Sequence, residues 1–365
     1  MTHNVLILGT GPMAAKLIEE IEASPARRFA VAGIVDDARP DPAFPATARW
    51  LGPFDRLAEI VRDVRPACIV VAAADRRDRL PMASLLESRV RGIPVEDAAE
   101  FYERLTGKIA IEALRPSTLI MAKGFRNHGA AEVLARQVSL LAAVIGLVLV
   151  SPLLLALAVA VKLDSRGPVF FIQPRAGRDG GPFGLIKFRT MHPATEARSE
   201  WVRDNVDRIT RVGGWLRRFR LDELPQLVNV LRGEMNLIGP RPHPTSNHAV
   251  FMEHIAYYGL RSTVRPGVTG WAQVRYGYAN NLDEETEKMR YDLYYIKNRS
   301  LWLDARIALE TVGIVIFGVG AVQVRRRTAP RVTLPATVGP GRPGSVATFV
   351  SWLGGPTARP SAGRQ

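Results

Sequence analysis

A chain of 365 residues in which 49 Lys and Arg stand against 35 Asp and Glu carries a formal net charge of +14 and a single cysteine. The lone cysteine excludes a disulfide framework and a cysteine-built metal centre, and Cys68, set in the apolar run Cys68-Ile69-Val70-Val71, reads as a buried strand residue in a reducing cytoplasm. The positive excess implies a polyanionic partner: nucleic acid, an anionic membrane face or a phosphorylated substrate.

The opening MTHNVLILGTG runs straight into a strand, without the basic region and cleavage site of a secretory signal. Across residues 1–115, strand candidates at 4–8, 30–35, 68–73 and 93–95 alternate with helical stretches, as expected for an α/β domain with a Rossmann-like parallel sheet. The first turn, Gly9-Thr10-Gly11-Pro12-Met13-Ala14, is a GxGxxA, and Asp36 ends the second strand where a ribose-binding carboxylate often sits. Gly9, Gly11 and Asp36 are therefore candidate nucleotide-binding residues. The alternative is a sheet that keeps the turn geometry without dinucleotide chemistry. A membrane-bound NAD(P)-dependent nucleotide-sugar oxidoreductase would use such a site, but no tyrosine here has a lysine four residues later.

Residues 116–137 read as a connector into an uncharged run, VSLLAAVIGLVLVSPLLLALAVAV, at 138–161. As a helix it would reach roughly 36 Å, enough for a ~30 Å hydrocarbon core. Lys123, Arg126 and Arg136 precede it and Lys162, Arg166, Arg175 and Arg178 follow it, so the positive-inside bias assigns both ends to the cytoplasm. This favours a re-entrant membrane helix over a straight crossing. Pro152 removes a backbone donor and supplies the bend, and Ser151 can rebond a freed carbonyl. Membrane lipid and phosphorylated substrates become the expected partners, and nucleic acid does not.

Residues 162–324 read as a small, mainly helical domain at the membrane surface. Its apolar end, 311–324, is too short to span a bilayer and is expected as an interfacial helix, with Trp302 at headgroup depth and Arg325, Arg326 and Arg327 on anionic lipid. Residues 325–365, rich in Pro, Gly, Arg and Ser, read as a disordered tail.

The chemistry concentrates between Lys187 and Asp292. Strand alternation sets Lys187 and Arg189 on one face, a phosphate clamp or simply a solvated face. In Leu221-Asp222-Glu223-Leu224-Pro225-Gln226-Leu227-Val228-Asn229-Val230-Leu231-Arg232-Gly233, the residues Leu224, Leu227, Val228 and Leu231 predict an amphipathic helix with a buried leucine stripe, Asp222 at its N-cap and Gly233 at its stop. Helix capping accounts for an acid there. Arg217, Arg218 and Arg220 beside it favour the charged form that a nucleophile or a Mg²⁺ ligand needs. Gly239-Pro240-Arg241-Pro242 and Arg265-Pro266-Gly267-Val268-Thr269-Gly270-Trp271-Ala272-Gln273 are rigid loops that each hold an arginine, and Asp292 lies among tyrosines, as a site residue or in aromatic core packing. The histidines show no metal-ligand spacing.

The ordered series Ser151-Pro152, Lys187-Phe188-Arg189-Thr190-Met191, Asp222-Glu223-Leu224-Pro225-Gln226-Leu227, Gly239-Pro240-Arg241-Pro242, the Arg265–Gln273 loop and Tyr291-Asp292-Leu293-Tyr294-Tyr295 resembles the bacterial sugar transferases, monotopic polyprenyl-phosphate hexose-1-phosphate transferases. The N-terminal domain resembles the Rossmann-like, CoA-binding-like domain of larger, exopolysaccharide-type members. The resemblance implies transfer of a sugar 1-phosphate from a UDP-sugar to undecaprenyl phosphate with release of UMP, initiating exopolysaccharide or O-antigen synthesis at the cytoplasmic face of the bacterial inner membrane. Asp222 would be the nucleophile that forms a covalent phospho-sugar intermediate. Glu223, with Asp222, would hold Mg²⁺, and Lys187, Arg189, Arg241, Arg265 and Asp292 would bind substrate. A homodimer is left open. Where many members have an acid after Pro-Arg-Pro this chain has His243, and Gln173-Pro174-Arg175 replaces the usual Gln-Glu-Arg; neither touches the acid pair.

Overall fold

The computed structural model describes residues 2–24, 28–42, 44, 45, 47–73, 80–114, 129–192, 207–277, 279 and 281–317. Most of the expected connector, the tail and its arginines therefore lie outside the described residues.

The N-terminal part runs β1 (His3–Leu8), α1 (Pro12–Ala23), β2 (Phe29–Val35), β3 (Trp50–Gly52), α2 (Leu57–Val64), β4 (Cys68–Val71), α3 (Met82–Val90), β5 (Val95–Asp97) and α4 (Ala98–Thr106). All pairings are parallel, in the order β3-β2-β1-β4-β5. Strand alternation sends Val5, Ile7, Cys68 and Val70 to the face covered by α1 and α4, and Leu6, Leu8, Ile69 and Val71 to the face covered by α2 and α3. Burial on both faces is why these strands are continuous apolar runs. Two expectations change. The strand expected at 93–95 begins at Val95, since Pro94 has no N–H for the ladder. The edge strand β3 was not foreseen, being too short to show alternation.

The membrane helix, α5 (Gly129–Asp164), is longer than the expected 138–161 at both ends, because its charged flanks are tied to the following domain. Glu132 pairs with Arg178 at 2.7 Å, Arg136 donates to Val230 O at 2.7 Å and Met235 O at 2.8 Å, and Asp164 accepts from Val212 N at 3.1 Å. Helical residues continue through Pro152. Ser151 Oγ donates to Val148 O at 2.9 Å, filling the carbonyl that Pro152 cannot bond. Ser139, Ala143, Leu157 and Val161 form a packed stripe, while Leu149 and Leu155 remain 73% and 70% exposed. A soluble protein would not leave such a surface bare.

The second domain opens with an antiparallel hairpin, β6 (Phe170–Ala176) and β7 (Pro182–Phe188). It continues through α6 (Arg211–Arg218), α7 (Gln226–Arg232), β8 (Asn236–Ile238), α8 (Thr245–His254), β9 (Gly267–Thr269), α9 (Trp271–Arg275), α10 (Leu282–Lys297) and α11 (Leu301–Phe317). The buried leucine stripe expected on α7 is corrected: Gln226, Asn229 and Val230 face inward, Leu224, Leu227 and Val228 are half-buried, and Leu231 is 39% exposed. Asn229 sets this orientation. Its Oδ1 accepts from Ile186 N at 3.0 Å and its Nδ2 donates to Gly184 O at 2.7 Å, lashing α7 to β7. The α/β domain docks through Trp271 Nε1, which donates to Gly107 O at 2.9 Å, and through the Lys297–Glu103 pair at 2.7 Å.

Candidate active site

Between α6 and α7 the chain turns through Arg220, at φ 54°, into a short 3₁₀ turn, Leu221–Glu223. A left-handed non-glycine residue costs roughly 1–2 kcal/mol. The turn buries Asp222 and Glu223 side by side. The capping role expected for Asp222 is corrected: the N-cap position of α7 belongs to Pro225. No described residue donates a hydrogen bond to the Asp222 carboxylate, whereas Glu223 accepts two from Arg241, at 2.6 and 3.1 Å, in a bidentate pair.

Lys187, Arg217 and Arg241 act electrostatically on Asp222, and Arg220 stands 3.8 Å from Glu223. Burial, reinforced by the neighbouring Glu223 charge, raises the Asp222 carboxyl above the usual range despite those cations. Burial alone would raise Glu223 too, but the Arg241 fork, with Lys187 and Arg220, holds it below the usual range. Lys187 is pushed down to about 7 by burial, with Arg241 and Arg175 adding repulsion. The two acids thus diverge: one stays charged and clamped, the other is basic and open.

Arg241 is braced from behind. Gly239 N donates to Thr269 O and Gly267 N to Pro240 O, both at 2.9 Å, so the two Gly/Pro loops form one backbone unit. A Cβ on Gly239 would come within 2.6 Å of Arg265 O, which is why that motif needs glycine. Arg261 Nη2 donates to Arg241 O at 2.5 Å, and Arg261 Nε to Asp292 Oδ2 at 2.6 Å. His243 joins this buried network through Arg261 Nη1 at 2.8 Å, the Tyr258 hydroxyl and Glu285 Oε1 at 3.1 Å; burial, then Arg261, drive its pKa well down, keeping it neutral.

Lys187 and Arg241 are therefore brought to the acid pair, and three expected substrate residues direct their bonds elsewhere. Arg189 donates to Ser165 O and Oγ, at 2.6 and 2.8 Å, beyond the end of α5. Arg265 pairs with Glu132 at 3.2 Å, and Asp292, 1% exposed, reaches the site only through Arg261. In the N-terminal domain Asp36 Oδ2 accepts from both Thr10 N and Thr10 Oγ1 at 2.7 Å, so Asp36 is bound to the turn between β1 and α1. Gly9 is required for packing, since a Cβ would lie 2.7 Å from Ala73 N, and Gly11 begins α1 as its N-cap. Arg261 escaped the sequence reading because nothing local marks it. Asn229 left a signal, a polar residue three positions after Gln226 on one helix face.

Among the described residues no group of three or more His, Cys, Asp or Glu could hold a metal. Mg²⁺ that shares its shell with substrate phosphate and water needs only one or two carboxylates. Asp222 and Glu223 fit that donor set, and Glu223 is paired with Arg241 here.

The sequence model described as bacterial sugar transferase matches residues 130–318, more than half of the chain. A UDP-N-acetylgalactosamine-undecaprenyl-phosphate N-acetylgalactosaminephosphotransferase of Aeromonas hydrophila is 43% identical over 230 residues, 63% of this chain and 54% of that protein. An undecaprenyl-phosphate glucose phosphotransferase of Komagataeibacter xylinus is 33% identical over 334 residues, 87% of this chain and 60% of that one. A UDP-glucose:undecaprenyl-phosphate glucose-1-phosphate transferase of Escherichia coli is 32% identical over 318 residues, covering 84% and 67%. The chain spans between about half and two thirds of the length of these relatives.

Proposed function

The chain belongs to the bacterial sugar transferase family, and from that premise we propose that it transfers a sugar 1-phosphate from a UDP-sugar to undecaprenyl phosphate. The observation that carries this reading is the division of labour in the acid pair: Asp222 is buried, basic and uncommitted, next to a Glu223 clamped by Arg241 and among several cations.

Asp222 attacks the β-phosphorus of the donor. The bond from that phosphorus to the oxygen bridging it to the α-phosphate breaks, and UMP leaves with the bridging oxygen and the electron pair. A phosphate oxygen of undecaprenyl phosphate then attacks the same phosphorus, giving undecaprenyl diphosphate-sugar and returning the carboxylate. Lys187, Arg217 and Arg241 offset the charge that gathers on the transferring group. Bound Mg²⁺, held by Glu223 and Asp222, would neutralise phosphate charge. A covalent intermediate lets a water-soluble donor and a lipid acceptor use one site in turn.

The reaction would take place at the cytoplasmic face of the inner membrane and begin exopolysaccharide or O-antigen assembly. Arg136 and Asp164 bind the same domain although roughly 42 Å of helix separates them at 1.5 Å per residue, more than a hydrocarbon core is thick. That supports a helix that enters and leaves on one side, bent at Ser151-Pro152. The order β3-β2-β1-β4-β5 fits a Rossmann-like sheet, and Asp36, occupied by Thr10, argues against dinucleotide chemistry in it. The oxidoreductase alternative gains no support from the names of these relatives.

Membranes containing the protein should release UMP from a UDP-sugar in amounts that match added undecaprenyl phosphate. Release that ignores the acceptor would count against this reading.

A further inference from the structure

Leu224 and Leu227, two residues of the stripe expected on α7, line a groove, and the structure gives that groove a purpose. It lies where three apolar clusters meet without closing: Leu224 belongs to one, Leu227 and Val268 to a second, and Val274 to a third. Ile314 and Val315 of α11 also line it. Arg220 and Glu223 stand at the edge, so the groove is continuous with the acid pair. Apolar membrane-facing elements flank it: Leu227 packs against Gly146 of α5, and α11 leaves Leu309 73% and Val312 54% exposed. No aromatic side chain lines it, so it offers a nucleobase nothing to stack on.

We propose that this groove holds the first isoprene unit of the polyprenyl phosphate acceptor, with the lipid phosphate turned toward Arg220 and the acid pair. This rests on the acceptor reading above. The groove offers about 150 Å³, the volume of a cavity that takes up a six-carbon benzene ring, so it has room for one five-carbon unit. An apolar wall that ends at an arginine matches a lipid whose charge sits at one end of its hydrocarbon. The remaining isoprenes would leave past Leu231 into the bilayer. The inward-facing Asn229 has a reason in the same picture: by binding β7 it turns the leucines of α7 toward the lipid path.

The test fills the groove and reads the two half-reactions separately, using farnesyl phosphate in detergent as the acceptor so that membrane partitioning does not enter. Val315→Trp, and independently Val274→Trp on α9, should raise the KM for farnesyl phosphate by at least about tenfold, the minimum expected from expelling a buried five-carbon unit. The burst of UMP from UDP-sugar before acceptor is added should be unchanged; its amplitude also counts the folded sites in each variant. Leu309→Trp, on the exposed side of α11, should alter neither. An unchanged acceptor KM with a normal burst would overturn the groove assignment, and so would a rise confined to the KM for UDP-sugar. Absence of any burst in the unmodified protein would instead overturn the covalent reaction itself.

Discussion

Two carboxylates in this molecule lie beside a turn that leads into a helix, and they end in opposite chemical states. At the first turn, Asp36 closes on Thr10 with two hydrogen bonds at 2.7 Å. At the second, Asp222 is buried with no described donor, while its neighbour Glu223 takes both arms of Arg241. The first turn spells a known fingerprint and binds the carboxylate that follows β2; the second resembles a helix cap and caps nothing. A motif becomes a site where the fold leaves a buried polar group unsatisfied, because that deficit, of the order of 1–3 kcal/mol, is what a ligand can relieve.

The largest contrast is expected from removing each acid. Asp222→Asn should reduce UMP formation by at least about a thousandfold, as loss of a nucleophile does, while Asp36→Ala should leave turnover within a factor of about two and cost about 1–3 kcal/mol in urea unfolding through the orphaned Thr10 N–H. Equal losses of activity would erase the distinction between the turns.

Asp292→Asn, which leaves Arg261 buried beside a weakened partner, should cost about 3 kcal/mol of stability. In the folded fraction, turnover should fall less than in Asp222→Asn, since the brace reaches the reaction only through Arg241. A full loss of turnover with no loss of stability would move Asp292 into direct substrate contact.

The pH profile sharpens the comparison further. Lys187, pushed down to about 7, is charged below that pH and neutral above it. The basic limb of kcat/KM for the donor should therefore be centred near 7 and fall about tenfold from pH 6 to 8, and Lys187→Arg should flatten it. The acid limb should belong to Asp222, which as the proposed nucleophile must be ionised and has a raised pKa. For stability the sign is opposite to that of an ion-paired lysine: above about pH 7 the unfolded chain holds the proton that folded Lys187 has lost, so this residue's contribution grows as pH rises toward its unfolded value.

The parallel sheet was legible because burial on both faces writes itself as unbroken runs such as Cys68-Ile69-Val70-Val71, and the acid pair because arginines crowd it. The repair of the proline break by Ser151 was also readable, since it spans a single turn. Two kinds of feature were not. The half-buried stripe of α7 defeats a rule that equates apolar periodicity with a fully buried core, because Gln226 and Asn229 take the inward face instead. The partners of Arg265 and Arg261 could not be read either: Glu132 lies 133 residues from Arg265, and no local spacing encodes a contact that only the folded chain brings together.

The most direct test of the account is intact-mass and peptide mapping after acid quench of enzyme mixed with UDP-sugar alone. One sugar phosphate per active site is expected, carried on Asp222 and discharged by polyprenyl phosphate. A turnover-competent enzyme with no adduct, or with the adduct on Glu223 or any other residue, would contradict it.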